Sequence, residues 1–283
     1  MARVSSGELV PSTRVSAADW YGAALVGWGV VESVIPRGYA AYARVLHPPS
    51  GPAGERRRWA DVAQWSGTVL HPLAQFSALA GRWEYDQRDG TAWPGDYPVV
   101  GCLDLVQLRL LCEILAGHTN TPAACWLTVW AGFGDLPEKW SRTAPQVLQP
   151  GREYYVFERS LDEVVEFSRQ VDYVGRDEDP LPPPMAYLRA EAATASAETP
   201  LAPASREDSE EDDRIRSPSQ WWPQDRAWCV ASEIDFDSTL VAGSQDLVTE
   251  LVAHPGIEAF QVAPGDDLSM NGDRINPLPP GQP

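Results

Sequence analysis

Trp221-Trp222-Pro223-Gln224-Asp225-Arg226-Ala227-Trp228-Cys229-Val230-Ala231-Ser232-Glu233-Ile234-Asp235-Phe236-Asp237-Ser238-Thr239 is the stretch whose reading decides the fold. From Ala227 to Asp237 it alternates as a strand does, with Trp228, Val230, Ile234 and Phe236 on one side and Ser232 among them. Cys229, Ala231, Glu233, Asp235 and Asp237 fall on the other side. That pattern predicts one strand with three carboxylates along one face, spaced about 7 Å apart. A Ser-Thr loop follows, then a helix over residues 245–253 ended by His254-Pro255-Gly256, then a second strand over 257–262. The expectation is a small β-α-β unit, its strands in one sheet and parallel if adjacent. Too small to stand alone, it is expected to complete a sheet begun earlier in the chain.

Working back from Trp221, the composition changes sharply. Residues 176–219 hold seven prolines, eleven acids and five arginines, including an acidic block over 207–213. Such a segment buries too little apolar surface to offset its ordering entropy, and it reads as a disordered linker. Before it lies the main region, residues 19–175. Residues 30–47 suggest two strands joined by a turn at Pro36-Arg37-Gly38. Helices are expected over 56–65 and 72–81, and the clearest one over 103–116, where Leu103, Val106, Leu110, Leu111, Ile114 and Leu115 follow helical spacing. Strands are expected over 124–130 and 153–158, and Ser160-Leu161-Asp162-Glu163 has the form of a capping box opening a further helix. Residues 1–18 and 276–283 read as flexible ends. The fold class is thus α+β or α/β: one mixed-sheet domain with flanking helices, interrupted by the linker and closed by residues 220–275.

Composition narrows the function. The 283 residues carry a formal charge of −18, which repels phosphate backbones and disfavours direct nucleic-acid binding. A basic protein, a cationic ligand or a metal ion suits that surface better. Lys139 is the only lysine among 22 basic residues, a bias that fits a GC-rich genome and argues against reading the arginines as phosphate clamps by number alone. Twelve tryptophans serve as bulky core or as stacking platforms for sugars and peptides. No apolar leader opens the sequence, and no run approaches the roughly 20 residues of a membrane span. The four cysteines have no CxxC pairing and read as reduced thiols, so a cytoplasmic protein is expected.

The quoted stretch resembles the C-terminal signature of a family of proteins from GC-rich bacteria, and residues 39–48 and 118–130 are similar to that family too. The family has no established activity, so the resemblance implies a shared envelope and no mechanism.

Candidate chemistry centres on Glu233, Asp235 and Asp237. Carboxylates at that spacing are able to share a divalent ion through water, or to raise one another's pKa for acid–base work. The plainer reading is the polar side of an amphipathic strand. His118, in the loop after the long helix, is a further candidate base, whereas His47, His71 and His254 each precede proline and mark element boundaries. Trp221 and Trp222 are candidates to stack on a ligand, with Arg226 and Ser238 beside them, or else they plug the point where the linker rejoins the fold. Neither a serine-hydrolase elbow nor a phosphate-binding glycine loop is present. Three functions follow as expectations. The leading one is a non-enzymatic intracellular protein that binds or regulates a basic macromolecule such as a toxin. The others are a divalent-metal hydrolase or transferase using the three acids, and a small-ligand or sugar-binding module using exposed tryptophan.

Overall fold

The computed structural model describes residues 9–84, 90–174 and 215–279. Among them an eight-stranded sheet is flanked by seven α-helices, an α+β arrangement. The strands are β1 (Ala41–Leu46), β2 (Cys125–Trp130), β3 (Val147–Gln149), β4 (Arg152–Arg159), β5 (Gln220–Pro223), β6 (Cys229–Ser232), β7 (Ser238–Gly243) and β8 (Ala259–Val262). Their order is β3-β4-β2-β5-β6-β7-β1-β8, and every hydrogen-bonded pair is antiparallel, which corrects the expectation of a mixed sheet.

The decisive stretch is not one strand but three. Trp221 and Trp222 lie in β5, between β2 and β6, and both are buried where the chain rejoins the fold. The alternation from Trp228 onward holds only to Ser232, where β6 ends. Residues 233–237 then turn the chain, with Phe236 N donating to Glu233 O, and β7 returns antiparallel with Ser232 opposite Thr239. Gly101, at φ +70°, braces this turn from behind. Its N–H donates to Phe236 O, and a Cβ there would stand 2.7 Å from Ile234 Cα, so no larger residue fits.

The first strand expected for the β-α-β unit is β6, and the residues read as a loop after it form β7; the unit in the structure is β7, α7 (Gln245–Ala253) and β8, with β1 lying between the two strands. Because β1 is antiparallel to both, β7 and β8 are parallel without touching. Residues 220–275 therefore supply the middle strands β5, β6 and β7 and also the edge strand β8.

Both sheet faces are covered. On one, Trp221, Trp228, Val230 and Val241 pack beneath α4 (Leu105–Ala116), α6 (Val164–Val174) and α7. On the other, Trp126, Trp222, Cys229, Ala231 and Leu240 meet Tyr21 of α1 (Asp19–Ala23) together with Val31 and Ile35. Complete burial of a Trp ring contributes on the order of 4–6 kcal/mol, an upper estimate. The Trp221–Trp228 pair, edge to face at 5.4 Å, thus anchors the first face by area and by geometry. Smaller helices α2 (Trp59–Ser66) and α3 (Phe76–Ala80) form a third apolar group with Leu46, and α5 (Glu138–Thr143) buries Trp140 over β4.

Local signals explain the elements read correctly. Asp104 caps α4 by accepting from Gln107 N at 2.6 Å, and Ser160 N donates to Glu163 Oε2 as a capping box requires. Other readings change. Val31–Ser33 is a 3-10 turn instead of a strand, joined to the fold by the Val30–Asp267 bridge and by Val31 N and Glu32 N donating to Asp266 O and Pro264 O. Residues 9–18, expected to be flexible, are seated: Leu9 is buried and Ser12 N donates to Val156 O. At the other end Asn276 is buried against Asp273 and Val69. The expected linker falls outside the described residues over 175–214, but its last part belongs to the fold, since Ser217 Oγ accepts from Leu103 N and Ser219 is buried. No helix among the described residues is long and apolar enough to cross a membrane.

Candidate functional site

The three acids of the quoted stretch do not share a strand face. Glu233 and Asp235 lie on the β6–β7 turn, and Arg152 at the start of β4 grips both, its Nη2 standing 2.5 Å from Glu233 Oε1 and 3.0 Å from Asp235 Oδ2. Burial works against the Arg152 charge, but Glu233 and then Asp235 outweigh it and hold its pKa above the ordinary value. Asp237 belongs to a different environment. Its Oδ1 accepts from Arg44 Nη2 at 3.1 Å, and Ser238 Oγ accepts from Arg44 Nε, so Asp237 and Ser238 serve a buried guanidinium in the middle of β1. Among the described residues no group of three His, Cys, Asp or Glu side chains is placed to hold a metal ion.

Ser232, by strand alternation, turns to the opposite face from Ala231. There its hydroxyl meets Thr239 Oγ1 at 2.7 Å, and Thr239 Oγ1 meets His47 Nε2 at 2.8 Å. The directions are set by Val99 O, which only accepts, 2.7 Å from His47 Nδ1. Burial lowers the His47 pKa to about 4, so the ring is neutral at pH 7, Nδ1 carries the proton and Nε2 accepts from Thr239. This chain of hydroxyls is closed within the core.

The other candidates separate as well. His118 Nε2 contacts Glu250 Oε2 at 2.8 Å, tying the loop after α4 to α7. Trp221 is sealed in the helix-covered core, while Trp222 and Arg226 lie on the other face beside a small polar pocket. Cys229 is buried, which raises its thiol pKa well above the ordinary value and leaves it unreactive.

A cleft of about 580 Å³ opens on the second sheet face beside the quoted stretch. Its floor includes Gln149, Gln220 and Ala231; Tyr154, Arg152 and Glu233 form one side. The facing side is the Leu25–Gly29 loop, carrying Trp28. Trp28 is 95% exposed, although Trp is the side chain that gains most from burial. Gly27 at φ +81° and Gly29 at φ +71° flank it in conformations that other residues adopt only under strain. At the floor, Gln149 is 4% exposed, its Oε1 accepts from Gln220 Nε2 at 2.8 Å, and its own Nε2 has no hydrogen-bond partner. A buried donor left unmade costs about 1–3 kcal/mol. Tyr154 beside it is buried enough that its phenol pKa is pushed up to about 12, so it is a neutral hydroxyl.

The cleft thus offers a projecting aromatic plate, an apolar wall, an unused amide donor and an ion pair at its margin. Reasoning from the sequence missed it because it draws on residues 25–34, 149–154 and 219–236, which only the sheet brings together. The tripeptide Gly27-Trp28-Gly29 is its one local sign.

These features define an α+β protein with an antiparallel sheet and a ligand-sized cleft on one face. No family model, no curated protein and no solved structure matches the chain.

Proposed function

We propose that this chain is a small-ligand-binding module whose site is the cleft beneath Trp28. The observation that carries the reading is Trp28 itself, exposed and glycine-flanked over a cleft whose floor holds the unpartnered Gln149 amide. An exposed aromatic ring and a buried donor lining one cleft suit an uncharged ring bearing a hydrogen-bond acceptor, and a sugar has both features. The strongly negative chain disfavours an anion in this cleft. Titration with a panel of neutral mono- and disaccharides, followed by Trp fluorescence and thermal shift, tests the reading. A saturable response that Trp28→Ala removes supports it; a panel without response, or a response intact in Trp28→Ala, contradicts it.

A second reading, a basic macromolecular partner, is supported by the charge of −18 and by Trp28 as a projecting anchor residue. Association with immobilised basic proteins that weakens steeply with salt and with Trp28→Ala favours this reading over the first. The metal-assisted alternative has no geometric support, since Arg152 already neutralises Glu233 and Asp235. Four free cysteines support residence in a reducing compartment such as the cytoplasm, and the likeness to the GC-rich bacterial family remains part of this proposal.

A further inference from the structure

The turn between β5 and β6 contains an oddity that the cleft does not explain. Arg226 has φ +54°, the only non-glycine residue with positive φ among the described residues. Holding an arginine in that region costs roughly 1 kcal/mol or more, and Gly or Asn would fit the turn with less strain. The side chain retained at this cost has no ion-pair partner among the described residues. Its guanidinium lies over the Trp20 ring, 4.5 Å from the centroid. Asp225, next to it, faces elsewhere, accepting from Thr119 Oγ1, Asn120 N and Ala227 N.

Across a pocket of about 160 Å³ stands a second stacked arginine. The Arg14 guanidinium lies 4.8 Å from the Trp126 centroid, and both arginines line the pocket with Ser16 and Gln224. Gln224 Oε1 accepts from Trp126 Nε1 at 2.7 Å, which leaves its amide NH2 as a donor. Arg14 is paired with Glu158 at 2.9 Å, but both groups are exposed, and such a pair is worth little and is readily exchanged. The pocket therefore gathers two guanidinium donors, a hydroxyl and an amide, with each guanidinium plane fixed by an indole face.

We propose that this pocket binds a phosphate-type oxyanion, held between Arg14 and Arg226. Donor-only, planar, preorganised guanidinium groups match the several acceptor oxygens of a tetrahedral phosphate, and stacking on Trp20 and Trp126 reduces the ordering cost of gripping it. The site is separate from the cleft beneath Trp28 and does not depend on it. It places a cationic spot on an otherwise acidic chain, so selectivity comes from contact geometry and not from long-range attraction.

Isothermal titration calorimetry at constant ionic strength, with inorganic phosphate, glucose 6-phosphate and acetate as separate arms, tests the proposal. Arg14→Gln and Arg226→Asn are the variants; Asn tolerates the left-handed turn, so the backbone is kept. Saturable binding of phosphate or of the phosphomonoester, weakened at least tenfold in both variants and absent for acetate, is the expected result. Binding of the phosphomonoester alone assigns the site to a phosphate carried on a larger ligand. Binding of neither, binding that survives in either variant, or equal binding of acetate overturns the proposal.

Discussion

Asp237 Oδ1 stands 3.1 Å from Arg44 Nη2, and Arg44 is only 2% exposed although it lies in the middle of β1. The same guanidinium donates to Ser238 Oγ and to the carbonyls of Pro72 and Ala74, which ties the start of β7 to the segment entering α3. Burial pulls the Arg44 pKa down and Asp237 opposes it; burial likewise pushes the Asp237 pKa up against the pull of Arg44.

Asp237 and Asp235, two residues apart, are therefore expected to behave very differently. Asp237→Asn leaves the buried guanidinium uncompensated and should cost about 3 kcal/mol. Asp235 is 75% exposed at the margin of the Arg152 pair, so Asp235→Asn should stay within about 0.5 kcal/mol. Urea denaturation of both variants measures the contrast, and equal effects would restore the picture of equivalent acids along one strand.

Folding lowers the His47 pKa from its ordinary 6.5 to about 4, chiefly through burial. Between those values the unfolded chain binds the extra proton, so stability is full above pH 6.5 and falls as pH drops toward 4. The total for this group is about 3 kcal/mol. His47→Gln lacks the titration, while the other acidic groups are common to both proteins. Unfolding free energies at pH 7 and pH 4 should show the wild type losing roughly 3 kcal/mol more than the variant. Identical losses would mean that His47 is not held neutral in the core.

Trp28→Ala should leave the melting temperature within about 1 °C, since the ring buries almost nothing. Gly27→Ala and Gly29→Ala should each cost about 1 kcal/mol, because their positive φ strains any side chain. Thermal denaturation separates the two effects. A large loss in Trp28→Ala would show that the ring packs against the fold in solution.

Much of the architecture was legible because it is local. The α4 face, the capping box at Ser160 and α7 all declare themselves within one or two turns, whereas the Asp104 cap falls inside the helix expected from 103. The β6–β7 turn was hidden because Glu233-Ile234-Asp235-Phe236-Asp237 keeps the period-two alternation that a strand would show. Its polar residues face Arg152 on β4 and Arg44 on β1, partners 81 and 193 positions away in sequence for Glu233 and Asp237. Trp221-Trp222-Pro223 was obscured for a related reason: proline beside acidic low-complexity sequence argues for a loop, yet Pro223 sits at the end of β5, opposite Cys125. The cleft was illegible altogether, because Gln149 acquires its unmet donor only from where β3 stands relative to β5.

The central claim, a ligand held between Trp28 and the Gln149 floor, is tested most directly by fluorine NMR of the protein labelled with 5-fluorotryptophan. The twelve tryptophans give separate reporters, and Trp28→Phe assigns the signal that matters. On titration with the neutral sugar that gives the strongest thermal shift, the Trp28 resonance should move saturably. Trp130, stacked with Arg152, should follow it, while Trp221 and Trp228 on the opposite sheet face should stay fixed. A ligand that shifts Trp221 or Trp228, or that binds while Trp28 remains still, would contradict the account.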